Sequence, residues 1–417
     1  MTLENVRSDD GGLTPEPCSC GQRHVARTEV LLADGAVREL PRIVLGEAGT
    51  KGAVLVVCDP NTRAVAGDDV AHMLASAGFA VRQTVLPSPR PHTDETAIAY
   101  VEAAGPKDFA ILVSVGSGTV TDVVRMVTHR AGKPFVAVPT AASMDGYTSP
   151  VVPMFNNGLK QAVPATPPVA VVGDLDLVAT APPHMAMAGF GDLVGKLTAR
   201  FDWTLAHLLT GEYFCGPTAD LSRKALDRAC ADPGGFTAGR HDALRALMDG
   251  LLFAGLAMQM VGTSRPASGA EHHLGHYWEE QALIAGADHD LHGTYVGVAT
   301  SIAAALMHRL LAMEPQELRV RACRAEAGGG EPVPNFDQWE SIRRKLDGLV
   351  PAPATIRALL AEAGAPVTPR DLGLTFEDVR LGLLHAHERR PRFTSFTLAA
   401  QLGLLHEWAG EIAEEYA

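Results

Sequence analysis

Between Thr28 and Thr140 the chain switches repeatedly between short apolar, β-branched runs and helical stretches, a pattern that few folds accept. The apolar runs are AVLVVCD, AVRQTVL, FAILVSV and PFVAVPT, and between them lie RAVAGDDVAHMLASAG, TAIAYVEAAG and VTDVVRMVTHRAG. That order predicts a parallel sheet with crossover helices. Residues 150–180 are rich in Pro and Val and carry an Asn156–Gly158 turn, which predicts a β-hairpin closing the first domain. From Pro182 onward long amphipathic patterns take over, including MAMAGFGDLVGKLTARFDWTLAHLL and ALRALMDGLLFAGLAMQMVG, so the second domain is expected to be all-helical. With 417 residues the chain exceeds what one core usually supports. The expected division is an N-terminal extension over 1–27, an α/β dinucleotide-binding domain over 28–181 and a helical domain over 182–417. EAGGGEPVPN, near Gly328, reads as a surface loop.

A net charge of -13 argues against nucleic acid as a partner, because a phosphate backbone is held by clustered Lys and Arg. A small anionic substrate needs only a local basic pocket. Apolar runs such as Phe109–Val115 are far shorter than the roughly 20 residues of a bilayer span. The N-terminus lacks the basic-then-apolar pattern of a signal peptide, so a cytoplasmic location is expected. Six cysteines are too sparse for a disulfide framework. In C-S-C-G-Q-R-H, however, Cys18, Cys20 and His24 supply three ligands for a zinc ion, with no fourth evident, or else form a plain N-terminal turn.

Two features point to a nucleotide. The run FAILVSVGSGTVTDVVRMV is a strand, a glycine turn and a helix, which presents backbone N–H groups and a positive helix end to a phosphate. Gly116 and Gly118 permit close approach. Asp122 stands where a G-x-G-x-x-G fingerprint needs its third glycine, and Thr119 with Asp122 also has capping-box-like spacing, so a merely well-capped crossover helix is the bland alternative. Upstream, Asp59 ends the strand AVLVVCD, where a carboxylate accepts hydrogen bonds from the ribose diol of NAD, although many acidic residues simply end strands.

The strongest chemical signal is a cluster of histidines. Five of 16 fall within 21 residues: His272, His273, His276, His289 and His292. His272 and His276 are four apart on one helical face. Asp192 interrupts an apolar, glycine-rich helical stretch, where a buried carboxylate is costly without a cation or donor. One Asp and two His around a divalent ion leave coordination positions open for catalysis. Zinc, iron and nickel suit such mixed ligands comparably.

These residues match a family. The chain resembles the glycerol-1-phosphate dehydrogenases, especially their bacterial branch, within the superfamily of iron-type alcohol dehydrogenases, glycerol dehydrogenases and dehydroquinate synthases. The resemblance runs from about Cys18 to the C-terminus and is carried by GSGTVTD, VPTAASMDGYTSP, GFGDLVGKLTARFDW and SRPASGAEHHLGH followed by LHG. It implies a dehydroquinate synthase-like fold with cofactor, metal and substrate in the cleft between two domains. By the same resemblance Gly118, Thr119, Val120, Thr121 and Asp122 border the cofactor pyrophosphate, and Thr140, Ala141, Ala142, Ser143 and Ser149 line the rest of that site. Asp192, His272 and His292 look like the metal ligands, with His289 a weaker candidate. Asp145, Asp192 and His276 look like the residues that contact substrate and act in catalysis. The turn departs from the Gly-Gly-Gly of many relatives at Ser117.

The implied reaction is reduction of a small phosphorylated ketone, dihydroxyacetone phosphate, with NAD(H) or NADP(H) and one divalent metal, by a homo-oligomer. Lys196, one turn beyond Asp192, and Arg392 in RRPRFT are the candidate phosphate anchors. Another polyol or alcohol dehydrogenase, or a lyase resembling dehydroquinate synthase, is the alternative on the same scaffold.

Overall fold

The computed structural model describes residues 18–49, 52–156, 159–287, 289–327 and 333–416. Six strands form one parallel sheet: β1 (Glu29–Ala33), β2 (Ala53–Cys58), β3 (Ala80–Val85), β4 (Ile111–Gly116), β5 (Phe135–Pro139) and β8 (Ala170–Asp174), in the order β1-β8-β5-β4-β2-β3. A separate antiparallel pair, β6 (Val151–Asn156) and β7 (Leu159–Pro164), is inserted between β5 and β8. The central strands are apolar at consecutive positions because both faces are covered. Leu55 and Val57 face one core with Val123, Val124 and Val127 of helix Gly118–Ala131, while Val54, Val56 and Cys58 face a second core with Ile43, Val44 and Leu74.

The order of strands fixes where a ligand fits. From β2 the chain steps outward to β3, then returns to the other side of β2 as β4 and proceeds through β5. The sheet therefore reverses direction between β2 and β4, and the crevice beyond their C-terminal ends is bounded by Asp59 and Gly116.

Two expectations need correction. The hairpin forms, with its turn residues 157–158 outside the described residues, but it does not close the α/β part. The chain re-enters the sheet as β8, whose AVVGD was hidden behind the Pro- and Val-rich turn signals. The run MAMAGFGDLVGKLTARFDWTLAHLL is two helices, Pro183–Val194 and Lys196–Thr210, meeting at Gly195. Apolar runs are also longer than expected. Helices His241–Val261 and His292–Ala312 have 21 residues each and are apolar enough to cross a bilayer, but 72% and 78% of their apolar windows are buried inside the protein, where they form the core of the helical part. Half of the loop near Gly328, residues 328–332, lies outside the described residues.

Candidate active site

The glycine turn sits at the end of β4, and helix Gly118–Ala131 starts at it. Ser117 occupies the N-cap but makes no side-chain cap bond, and the first helical bond is from Thr121 N–H to the Ser117 carbonyl at 3.2 Å. The N–H groups of Gly118, Thr119 and Val120 thus have no partner among the described residues, which is what an anion at a helix start requires. A side chain on Gly118 would collide with Met144 Sδ, 2.7 Å from its Cβ position. The capping box expected of Thr119 and Asp122 does not form. Asp122 lies one turn further in and pairs with Arg125 at 2.5 Å, both buried. Arg125 in turn donates to the carbonyls of Gly146, Tyr147 and Val151. Asp122 therefore faces away from the open turn and anchors the 140–151 segment.

That segment brings the other cofactor candidates beside the turn. Thr140 N–H donates to the Gly116 carbonyl at 3.2 Å, and Ala141, Ala142 and Ser143 are buried behind it. Ser149 closes a short 3-10 turn and its hydroxyl bonds the Val151 backbone. Asp59 is at the crevice, but Oδ1 caps the following turn by accepting from Thr62 N–H at 2.8 Å. Only its remaining oxygen is left for a ribose.

Asp192, His272 and His292 come from three different helices, and their ligand atoms all lie within 4.8 Å of one another. Glycines make this convergence possible. A Cβ on Gly191 would lie 2.3 Å from the Gly293 carbonyl oxygen, and one on Gly293 would lie 1.8 Å from that of Ala188, so the Asp192 and His292 helices cross at backbone contact. Each histidine is oriented from behind. His272 Nδ1–H donates to Glu271 at 2.8 Å, leaving Nε2 3.5 Å from Asp192 Oδ1. His292 Nδ1–H donates to Glu279 at 3.1 Å. A carboxylate holding the far nitrogen of each ring is the usual support of a metal-binding imidazole. A second group, His276, Glu279 and His292, overlaps the first. It is the poorer site, because Glu279 is already paired with Lys160 at 2.8 Å and His276 Nδ1 with Arg390. His289 is outside both groups. Its Nδ1 faces the Asp290 carbonyl.

Lys196 is not placed as a phosphate anchor. Its buried ammonium donates to the Asp192 carbonyl at 2.9 Å and to Asp192 Oδ1 at 3.0 Å, and lies 2.6 Å from Asp145 Oδ2. Three acceptors around a three-donor group leave nothing for a phosphate. Lys196 neutralises two buried carboxylates instead. Burial pushes Asp192 up, but Lys196 and the two imidazoles overcome it and hold the carboxyl well below its ordinary value, whereas burial and the Asp192 charge raise Asp145. Asp145 also donates its backbone N–H to Asp192 Oδ2 at 3.0 Å.

His276 receives a hydrogen bond from Arg390 on Nδ1 at 2.9 Å. A guanidinium can only donate, so the neutral ring carries its proton on Nε2. Burial and Arg390 keep that ring well below the usual imidazole value. Beyond Arg390 lies a basic cluster. Arg392 donates to the Ser268 carbonyl at 3.0 Å and to Ser264 Oγ at 2.9 Å, and burial with Arg265 and Arg390 nearby pushes it down to about 9. Arg265 Nη1, Ser268 Oγ and both ring nitrogens of His273 are buried without a partner among the described residues. Arg265 already pairs with Glu212 through Nε at 2.6 Å, whereas Arg390 and Arg392 have no carboxylate in ion-pair contact among the described residues, so their charge and the idle Arg265 Nη1 suit an anion.

The sequence reasoning passed over Glu271, Glu279, Lys160, Arg265 and Arg390. Glu279 had a signal, since positions 272, 276 and 279 share one helical face.

A family model described as iron-containing alcohol dehydrogenase matches residues 31–182. A glycerol-1-phosphate dehydrogenase (NAD(P)+) of Halalkalibacterium halodurans is 35% identical over 382 residues, covering 90% of this chain and 94% of its own. The chain belongs to the glycerol-1-phosphate dehydrogenase family. A glycerol-1-phosphate dehydrogenase (NAD(P)+) of Thermococcus kodakarensis is 30% identical, over 93% of this chain and 95% of its own. Solved structures share the fold at lower identity. Glycerol dehydrogenase of Schizosaccharomyces pombe matches with a TM-score of 0.63 at 16% identity, over 93% of this chain and 91% of its own. A 1,3-propanediol oxidoreductase matches at 0.67 and 18%, over 92% and 98%.

Proposed function

We infer that this member of the family is a metal-dependent, NAD(P)-linked dehydrogenase that reversibly reduces dihydroxyacetone phosphate to sn-glycerol 1-phosphate. One juxtaposition carries the reading: the Asp192, His272 and His292 group adjoins, through His276 and Arg390, a buried arginine cluster with idle donors. A ketone binds beside the first and a phosphate beside the second. Residues 28–181 are taken to hold the nucleotide, with the turn at Gly116–Thr121 and the segment from Thr140 to Ser149 against its pyrophosphate, and residues 182–417 to hold metal and substrate.

Asp192, His272 and His292 are the residues that would hold the metal, and their donor set fits zinc, iron or nickel. When bound, the metal polarises the ketone and the reduced nicotinamide supplies hydride. His276 presents an Nε2–H, so it stabilises the developing alkoxide by donating a hydrogen bond. Lys196 holds Asp192 in its charged form and offsets the carboxyl of Asp145 beside the reacting carbon. Arg392 and Arg265 orient the substrate by its phosphate, with Arg390 joining that anchor to His276.

The test is a rate assay on the metal-loaded protein with dihydroxyacetone phosphate and with dihydroxyacetone, followed by chiral analysis of the product. Two charge-assisted phosphate contacts at about 1.5–3 kcal/mol each predict a preference of at least about 100-fold for the phosphorylated ketone. Equal rates would replace this reading with that of a general polyol dehydrogenase.

A further inference from the structure

We propose that Cys18, Cys20, His24 and Cys215 form a second metal site, a closed structural centre of the zinc class that staples the N-terminal lead-in to the helical part. Three of these residues lie within one short segment, and the fourth is supplied by the fold 191 positions beyond His24. Their ligand atoms all lie within 4.8 Å of one another. Cys18 Sγ is 3.6 Å from Cys215 Sγ, and His24 Nε2 is 3.2 Å from Cys20 Sγ and 3.3 Å from Cys215 Sγ. A tetrahedral zinc with its usual bond lengths spaces two sulfurs by roughly 3.8 Å and sulfur from nitrogen by roughly 3.6 Å. These three pairs need to open by only a few tenths of an ångström to accept the ion. A disulfide, by contrast, needs sulfurs at about 2.05 Å.

A separate observation points the same way. His24 Nδ1 lies 2.6 Å from the Met260 carbonyl oxygen, which fixes the proton on Nδ1 and aims the Nε2 lone pair at the thiols. The Tyr213 hydroxyl is 3.2 Å from Cys20 Sγ, as an outer donor to a thiolate would be, and the Tyr213 carbonyl is held by Trp203 Nε1 at 2.7 Å. The local chain is shaped for this. Cys18 N–H donates to the Gln22 carbonyl and Gly21 N–H to the Cys18 carbonyl, a tight knuckle that needs Gly21 at φ +82°. His24 and Cys215 are buried, and Cys18 and Cys20 pack against Trp203 and Ala219.

The site shares no residue with the active-site group, and its chemistry differs. Three thiolates and an imidazole select a soft or borderline ion and leave no position open, which suits structure rather than turnover. Binding converts three thiols to thiolates and releases their protons. The lead-in continues into β1, where Gln259, next to Met260, bonds both Thr28 and the Thr148 carbonyl. The ion would thus fix the edge strand of the sheet to helix His241–Val261.

Cobalt reconstitution of the full-length protein tests the proposal. Thiolate-to-cobalt charge-transfer absorption in the near ultraviolet is expected in the wild type, and equally in Asp192→Asn, whose active-site ligand set is broken. Cys215→Ser and Cys18→Ser are expected to lose that band and one equivalent of tightly held zinc, with a lower thermal midpoint and unchanged turnover per active-site metal. If those variants fail to fold, titrating wild-type thiols with a mercurial should release one equivalent of zinc. A wild-type protein without the thiolate band, or with a Cys18–Cys215 disulfide after reductive purification, overturns the proposal.

Discussion

Glu279→Gln is the substitution that reads the metal site most directly. The side chain is buried, accepts from His292 Nδ1–H at 3.1 Å and pairs with Lys160 at 2.8 Å. Burial pushes its carboxyl up, but Lys160 and His292 overcome this and hold it at about 2, against 4.5 in isolation. Glutamine keeps the shape and removes the charge that makes His292 a better ligand. Loss of such an outer carboxylate lowers metal affinity by about 10–100-fold, or about 1.4–2.8 kcal/mol. Competition against a chelator should find that decrease in Glu279→Gln, a complete loss in His272→Ala, and little change in His276→Ala. If His276→Ala and Glu279→Gln both abolish binding while His272→Ala does not, the overlapping group of His276, Glu279 and His292 holds the metal and the assignment made here is wrong. The same carboxylate sets an acid dependence. Its folded value is depressed, so its stabilisation is complete above about pH 4.5 and fades as pH falls through 2. A gap of roughly 2.5 pH units at 1.36 kcal/mol each comes to about 3 kcal/mol. Acid unfolding of the metal-free protein should therefore be shallower in Glu279→Gln, and identical slopes would refute the argument.

Gly118→Val should raise the cofactor KM with metal content unchanged, because the new side chain meets Met144 and covers the N–H groups at the helix start; unaltered nucleotide binding by calorimetry would make the turn merely structural. Lys196→Met leaves Asp145 and Asp192 facing each other while buried, so the metal-free protein should lose about 3–5 kcal/mol in chemical denaturation. The metal-loaded protein should lose less, since the ion takes over the neutralisation, and equal losses would count against that role. Arg392→Met should lower kcat/KM for dihydroxyacetone phosphate by roughly 10–100-fold and leave dihydroxyacetone almost untouched; a parallel loss on both substrates would place the phosphate elsewhere.

Some of this was legible in the chain and some was not, for physical reasons. The strands β2, β4 and β5 were readable because burial on both faces makes nearly every position apolar, Ser114 excepted. The edge strand β1, EVLLA, is short and only half-covered, and β8 lies behind a hairpin whose turn residues dominate the local signal. Asp192 was visible as a charge in an apolar stretch. Spacing showed that Lys196 was near it, but could not show that Asp145, 51 positions upstream, would occupy the same ammonium. Arg390 was passed over in favour of Arg392 because His276, its partner, lies 114 positions away. The fourth ligand of the N-terminal cluster was hidden by the same rule: local periodicity reports which side a residue faces, not what long-range topology brings there.

The β6–β7 hairpin has a consequence beyond its packing. It emerges from the parallel sheet, yet Lys160 on it meets Glu279 through its ammonium and Glu280 through its backbone N–H at 2.8 Å, and Glu279 steadies His292. The hairpin is in effect a strut between the two halves of the enzyme, and swinging the halves apart would pull the outer support from His292, one of the proposed metal ligands. Occupancy of one half then becomes thermodynamically coupled to occupancy of the other, by the same factor in both directions. Calorimetry on metal-free and metal-loaded protein should find the nucleotide bound more weakly without the ion, and Lys160→Met should erase the difference.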